Sequence, residues 1–143
     1  QPHHLIIIGA GNLGQALANY MNFERRGFLF KGIFDHDPSL YGKEVRGLAV
    51  QPMENMERFI EEHEIDIAVL TIPKAGAVAA AELLVKSGIK AIWNFAHVDL
   101  NVPDRIQVEN VHLTDSLMKL SYNINRQQDG GRQESRCSDE EDG

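Results

Sequence analysis

The sequence predicts an α/β fold: a doubly wound, mostly parallel sheet with helices on its faces. Three observations carry that prediction. Short apolar runs are continuous rather than alternating, as strands covered on both faces require. Between them stand segments whose apolar residues recur at helical spacing. The two kinds alternate from Leu5 to about Asn125, without an internal repeat, which calls for crossover connections between parallel strands.

The first run, Leu5-Ile6-Ile7-Ile8, reads as a buried strand. A helix beginning near Asn12 follows, with Leu13, Ala16, Leu17, Tyr20 and Met21 on one face. Phe28–Phe34 is the second apolar run. Met53, Met56, Phe59 and Ile60 then share a helical face, while Glu54, Glu57, Arg58, Glu61 and Glu62 largely point away from it. Ile67–Ile72 is the next strand, and Ala75–Val85 is an Ala-rich helix stopped by Gly88, a residue suited to a left-handed cap. Ala91-Ile92-Trp93 is a further strand. Leu113–Ile124 closes the pattern as a helix carrying Leu117, Leu120 and Ile124. Residues 1–125 therefore form one domain. Residues 126–143 hold six acids, three bases and one hydrophobic residue, Cys137, and read as a disordered acidic tail.

At 43% hydrophobic and 24% charged residues, the 143-residue chain can bury a core without disulfides or a structural metal. Its single cysteine excludes an internal disulfide and a cysteine-rich zinc site, and makes a reducing, cytoplasmic setting the default. The apolar runs are too short to cross a bilayer, and no charged leader precedes an h-region. A chain opening on Gln1 rather than Met is expected of a processed or excised piece. The 14 basic residues are scattered and outnumbered by 21 acids, for a net charge of −7, which argues against direct contact with nucleic acid.

Gly9-Ala10-Gly11-Asn12-Leu13-Gly14 fits the pattern G-x-G-x-x-G. Its context makes it informative, because it follows a strand and opens a helix. Gly9 permits the tight turn, Gly11 lets the backbone approach a pyrophosphate, and Gly14 lets the helix pack close to the strand. Unpaired N–H groups at the positive end of the helix would receive the phosphates. Asp35 ends the second strand, 21 residues past Gly14. A carboxylate there accepts hydrogen bonds from the adenosine ribose. It also repels the 2′-phosphate of NADP, and no Arg follows at once to neutralise one. The Rossmann dinucleotide fold, with NADH or NAD⁺ as its cofactor, is what these residues imply. The bare alternative is a domain whose glycines serve packing and whose Asp35 caps a turn.

Other chemistry finds less support. Gly42-Lys43 lacks the first glycine and the Ser or Thr of a P-loop, and no His-x-x-x-His spacing marks a metal site. His3 and His4 are expected at the mouth of the first strand and His63 on an exposed helix end. No nucleophile, base and acid can be assembled, so no catalytic residue is assigned. Ligands in open α/β sheets bind beyond the carboxyl ends of the strands. Thr71-Ile72-Pro73 and Asn94-Phe95-Ala96-His97 both follow strands and would border the nicotinamide half of a dinucleotide.

Taken in order, Gly9–Gly14, Ile33-Phe34-Asp35, Leu70-Thr71-Ile72-Pro73, Gly88-Ile89-Lys90, Trp93-Asn94-Phe95-Ala96 and Val108-Glu109-Asn110-Val111 resemble the redox-sensing transcriptional repressors of the Rex family. The resemblance runs from Pro2 to about Ile124. It implies a homodimer that senses NADH against NAD⁺ through a C-terminal Rossmann domain. In that family each subunit also carries an N-terminal winged-helix domain, which is expected to release DNA when NADH binds. It further implies that the C-terminal helix is exchanged between subunits. The sequence departs from the family in lacking the winged-helix domain, in His97 where a proline is common, and in His112 where several members carry an acid. Alone, this chain is not expected to bind operator DNA. A fragment of an NAD-dependent oxidoreductase would need a substrate domain and a proton-transferring residue that this length does not accommodate. A CoA-binding module shares the glycine turn, but Asp35 would face the 3′-phosphate of CoA.

Overall fold

The computed structural model describes residues 2–20 and 22–111. The expected helix Leu113–Ile124, its exchange between subunits, His112 and the tail 126–143 lie outside the described residues. Within them the order is β1 (His3–Ile8), α1 (Asn12–Ala18), α2 (Asn22–Arg25), β2 (Phe28–Asp35), β3 (Glu44–Val45), β4 (Leu48–Pro52), α3 (Met56–Glu62), β5 (Ile67–Leu70), α4 (Lys74–Ser87), β6 (Ala91–Asn94) and β7 (Gln107–Asn110).

The strands form one sheet in the order β3-β4-β2-β1-β5-β6-β7. Every pairing is parallel except β3 with β4. Leaving aside the two-residue β3, the six parallel strands run 3-2-1-4-5-6, the doubly wound dinucleotide order. The order reverses between β1 and β5, so a crevice opens beyond the carboxyl ends of those two strands.

Alternation along β1 divides the core. Ile6 and Ile8 join Phe34, Leu70, Ile92 and the buried faces of α3 and α4 through Met56, Ile60, Ala77 and Leu84. Leu5 and Ile7 join Ile33, Val50, Val69 and Ala18 of α1. Both faces of β1 are sealed, which is why its sequence is apolar at every step from Leu5 to Ile8. Close packing extends to Gly32, whose missing Cβ leaves room for the ring of Phe59.

The expected elements that fall on the described residues are present with shifted ends. The third apolar run stops at Leu70 as a strand, leaving Thr71 and Ile72 in the connection to α4. The Ala-rich helix extends to Lys74–Ser87, and Gly88 caps it at φ 84°. Tyr20 is not on the core face of α1: the helix ends at Ala18 and Tyr20 is 53% exposed. Three elements had weak signals in the sequence. The β3–β4 hairpin turns on Arg46 and Gly47, both at positive φ, as a two-residue turn of the primed type requires. β4 is short and ends in Pro52. β7 reads Gln-Val-Glu-Asn and is largely exposed because it forms the sheet edge. Among the described residues no helix is long and apolar enough to cross a membrane.

Candidate functional site

The turn Gly9–Gly14 leaves β1 at the point where the strand order reverses, and its polar atoms are tied to the surrounding chain. The Gly9 N–H donates to the Phe34 carbonyl at 2.7 Å, extending the β1–β2 ladder past the strand end. The next amide, of Ala10, donates to Oδ2 of Asp35 at 2.7 Å. The Thr71 hydroxyl lies 3.0 Å from the Ile8 carbonyl and 3.1 Å from that of Gly9, and donates between them. Gln15 Nε2 donates to the Ala10 carbonyl at 2.8 Å. The first intrahelical bond of α1 runs from the Gln15 N–H to the Gly11 carbonyl, and no side chain caps the helix.

Each glycine of the turn has its own cause. Gly9 sits at φ 118°, and a Cβ there would lie 2.5 Å from Oγ1 of Thr71. A Cβ on Gly14 would overlap the carbonyl oxygen of Gly9. Gly11 differs from both. Its φ is −80°, open to any residue, and among the described residues an added Cβ would meet nothing within 4 Å. Neither its backbone conformation nor packing among the described residues requires glycine at that position.

The open space in front of Gly11 belongs to a cleft of about 400 Å³. Its walls are Gly9 and Gly11 of the turn, Asp35–Pro38 and Leu40 beyond β2, and Thr71-Ile72-Pro73 beyond β5. Asp35 is 7% exposed. Its Oδ1 accepts the Asp37 N–H at 2.9 Å and lies 3.4 Å from Nδ1 of His36. Two backbone amides leave lone pairs of this carboxylate free to accept from a ligand. Asp37 accepts both the N–H and the hydroxyl of Ser39. Those bonds, the backbone one foremost, hold its carboxyl below the ordinary value of 3.8. Partial burial raises the Tyr41 phenol, helped by the negative charges of Glu54, Asp35 and Asp37. The rim beyond β2 is therefore acidic.

The structure brings Gly9, Gly11, Asp35, Thr71, Ile72 and Pro73 around this cleft. Ala10 is wholly buried behind it, and Asn12, Leu13 and Gly14 form the first turn of α1. Asn94 and Phe95 stand elsewhere. Phe95, like Trp93, packs against the buried cluster on the α1 face of the sheet. Asn94 is 3% exposed, and its amide nitrogen donates to the Val98 carbonyl at 2.7 Å and to Oδ1 of Asn110 at 2.9 Å. Its oxygen accepts the Ala96 N–H at 3.0 Å. Residues 94–98 and β7 are thus fastened through Asn94 and Asn110. The part played by Asn110 is legible only once β7 is known to lie beside β6. Among the described residues no three His, Cys, Asp or Glu side chains are grouped to hold a metal ion.

Comparison with known proteins matches residues 1–98 to the family of CoA-binding domains. The redox-sensing transcriptional repressor Rex of Caldanaerobacter subterraneus subsp. tengcongensis is 55% identical over 126 residues, which are 88% of this chain and 56% of the relative. Its counterpart from Clostridium perfringens is 47% identical over 86% of this chain and 58% of its own length. This chain thus spans little more than half the length of those relatives. Among solved structures, RSP in complex with β-NADH is 53% identical with a TM-score of 0.77, covering 89% of this chain and 62% of RSP. RSP bound to β-NAD⁺ and operator DNA is 50% identical at the same TM-score of 0.77, covering 94% of this chain and 62% of RSP. A UDP-D-quinovosamine 4-dehydrogenase from Vibrio fischeri is more distant, at 26% identity and a TM-score of 0.57, covering 69% of this chain and 82% of that one.

Proposed function

This chain belongs to the family of CoA-binding domains, and from that membership and its likeness to the Rex repressors we propose that it is the NAD(H)-sensing domain of a redox-responsive transcriptional repressor. One observation carries the reading. Gly11 is glycine where no neighbour among the described residues requires one, and it faces a cleft at the switch point. A ligand pressed against the backbone explains that choice, and a pyrophosphate at an uncapped helix start is such a ligand.

In this reading the amides that open α1 hold the pyrophosphate, and Asp35 accepts from the adenosine ribose. Thr71, Ile72 and Pro73 border the nicotinamide, with Asn94 and Phe95 supporting the next connection along the sheet edge. When bound, the cofactor reports the redox state through its nicotinamide ring, positively charged when oxidised and neutral when reduced. Apolar surroundings from Ile72 and Pro73 desolvate the charged form at a cost and so favour NADH. The proposal extends to a homodimer in the cytoplasm, with DNA held by a winged-helix domain outside this chain and released on NADH binding. It assigns no catalytic residue. CoA itself is the weaker ligand, since Asp35 and Asp37 would face its 3′-phosphate.

Two glycine variants test the assignment together. Gly11→Val is expected to abolish NADH binding in calorimetry while leaving the thermal transition of the unliganded protein in place. Gly14→Ala is expected to lower that transition as well, because its Cβ meets the Gly9 carbonyl. Normal NADH binding by Gly11→Val would overturn the phosphate assignment.

A further inference from the structure

We propose that Asp35 is a positioning residue for the glycine turn, fixing the phosphate-facing backbone before any ligand arrives. This role is separate from its contact with the ribose and rests on the NAD(H) reading above. Successive amides of the turn are held by successive positions of β2. Gly9 donates to the Phe34 backbone carbonyl, and Ala10 donates to the Asp35 side chain, each at 2.7 Å. The side chain thus takes over the ladder where the backbones diverge. The bond is buried, since Ala10 is 0% and Asp35 7% exposed. It joins an amide to a carboxylate away from water, where such a bond is strong and its loss leaves an unsatisfied N–H.

The chemistry also selects a carboxylate over an amide. Oδ2 accepts from Ala10 and Oδ1 accepts from Asp37 at 2.9 Å, so two backbone donors need two acceptor oxygens. Asparagine offers one oxygen and one NH₂ group. Whichever way it turns, one backbone N–H faces a donor. Asp35→Asn therefore releases either the glycine turn or the start of the next connection, although its shape hardly changes.

A ligand cycle separates the two roles of Asp35. Binding of NADH, and of an NADH analogue whose adenosine ribose lacks both hydroxyls, is measured for the protein and for Asp35→Asn. Asp35→Asn is expected to weaken the analogue by about tenfold, and NADH by more, because only NADH also loses its ribose contact. A loss that appears with NADH and vanishes with the analogue would make Asp35 a ribose ligand only and overturn the proposal. Hydrogen exchange of the unliganded protein gives a second arm that needs no variant. The Ala10 amide is expected to be protected like the β1–β2 ladder, and exchange at the rate of an open loop would contradict the latch. If the unaltered protein binds neither ligand, the NAD(H) reading fails, while protection at Ala10 still decides the latch.

Discussion

A Cβ on Gly14 would overlap the carbonyl oxygen of Gly9, whereas a Cβ on Gly11 would meet none of the described residues and face the open cleft. The sequence motif assigns these two glycines their separate duties, and the structure bears out the close helix–strand approach at Gly14. Asp35 was legible as the acid ending the second strand. Its bond to Ala10 was not, because no spacing rule shows which amide a carboxylate meets once two strands are side by side. Asp37 was missed for a different reason: its work is local, capping the turn through Ser39. That capping makes a pH prediction. The folded value of Asp37 lies below its ordinary 3.8. Its stabilisation is therefore present above that pH and is lost as pH falls through the lowered folded value. Compared by thermal melting, Asp37→Asn is expected to be less stable than the unaltered protein at about pH 6, and the gap to close as the pH approaches 2. A gap unchanged across that range would show that the charge is not involved.

At the scale of elements, apolar runs identified β1, β2, β5 and β6: β1 from Leu5 onward and all of β5 are buried, while β2 and β6 are partly covered and admit Lys31 and Asn94. The edge elements escaped the same test. β3 has two residues, and β7 is polar because its outer side meets solvent. Without β7, Asn94 reads only as a residue at a strand end bordering the nicotinamide. The neighbouring edge strand supplies Asn110, and the Asn94 amide spends itself on Val98, Ala96 and Asn110. Asn94→Ala is accordingly expected to cost about 2–3 kcal/mol of folding stability, from backbone groups left unpaired in a buried network. Denaturant unfolding measures this directly. A variant of unchanged stability that loses NADH affinity alone would restore Asn94 to the ligand.

For the molecule as a whole, the doubly wound order places the glycine turn, the end of β2 and the end of β5 around one crevice. That convergence was legible from alternating runs and helical spacing, because right-handed crossovers leave few ways to arrange them. The ligand was legible only in its phosphate half. Glycine spacing and one acid describe where a pyrophosphate and ribose lie, but the nicotinamide surroundings depend on how three strand ends meet. The family's own description names CoA, while RSP is found with NADH and with NAD⁺. Titration of the purified chain with NADH, NAD⁺, NADPH and CoA, followed by calorimetry, tests the central claim most directly. NADH is expected to bind most tightly. NAD⁺ should be weaker by roughly tenfold, from desolvation of its charged ring. NADPH should also be weaker by at least about tenfold, from repulsion of its 2′-phosphate by Asp35, and CoA should not bind measurably. Saturable CoA binding with no response to NADH would contradict the account.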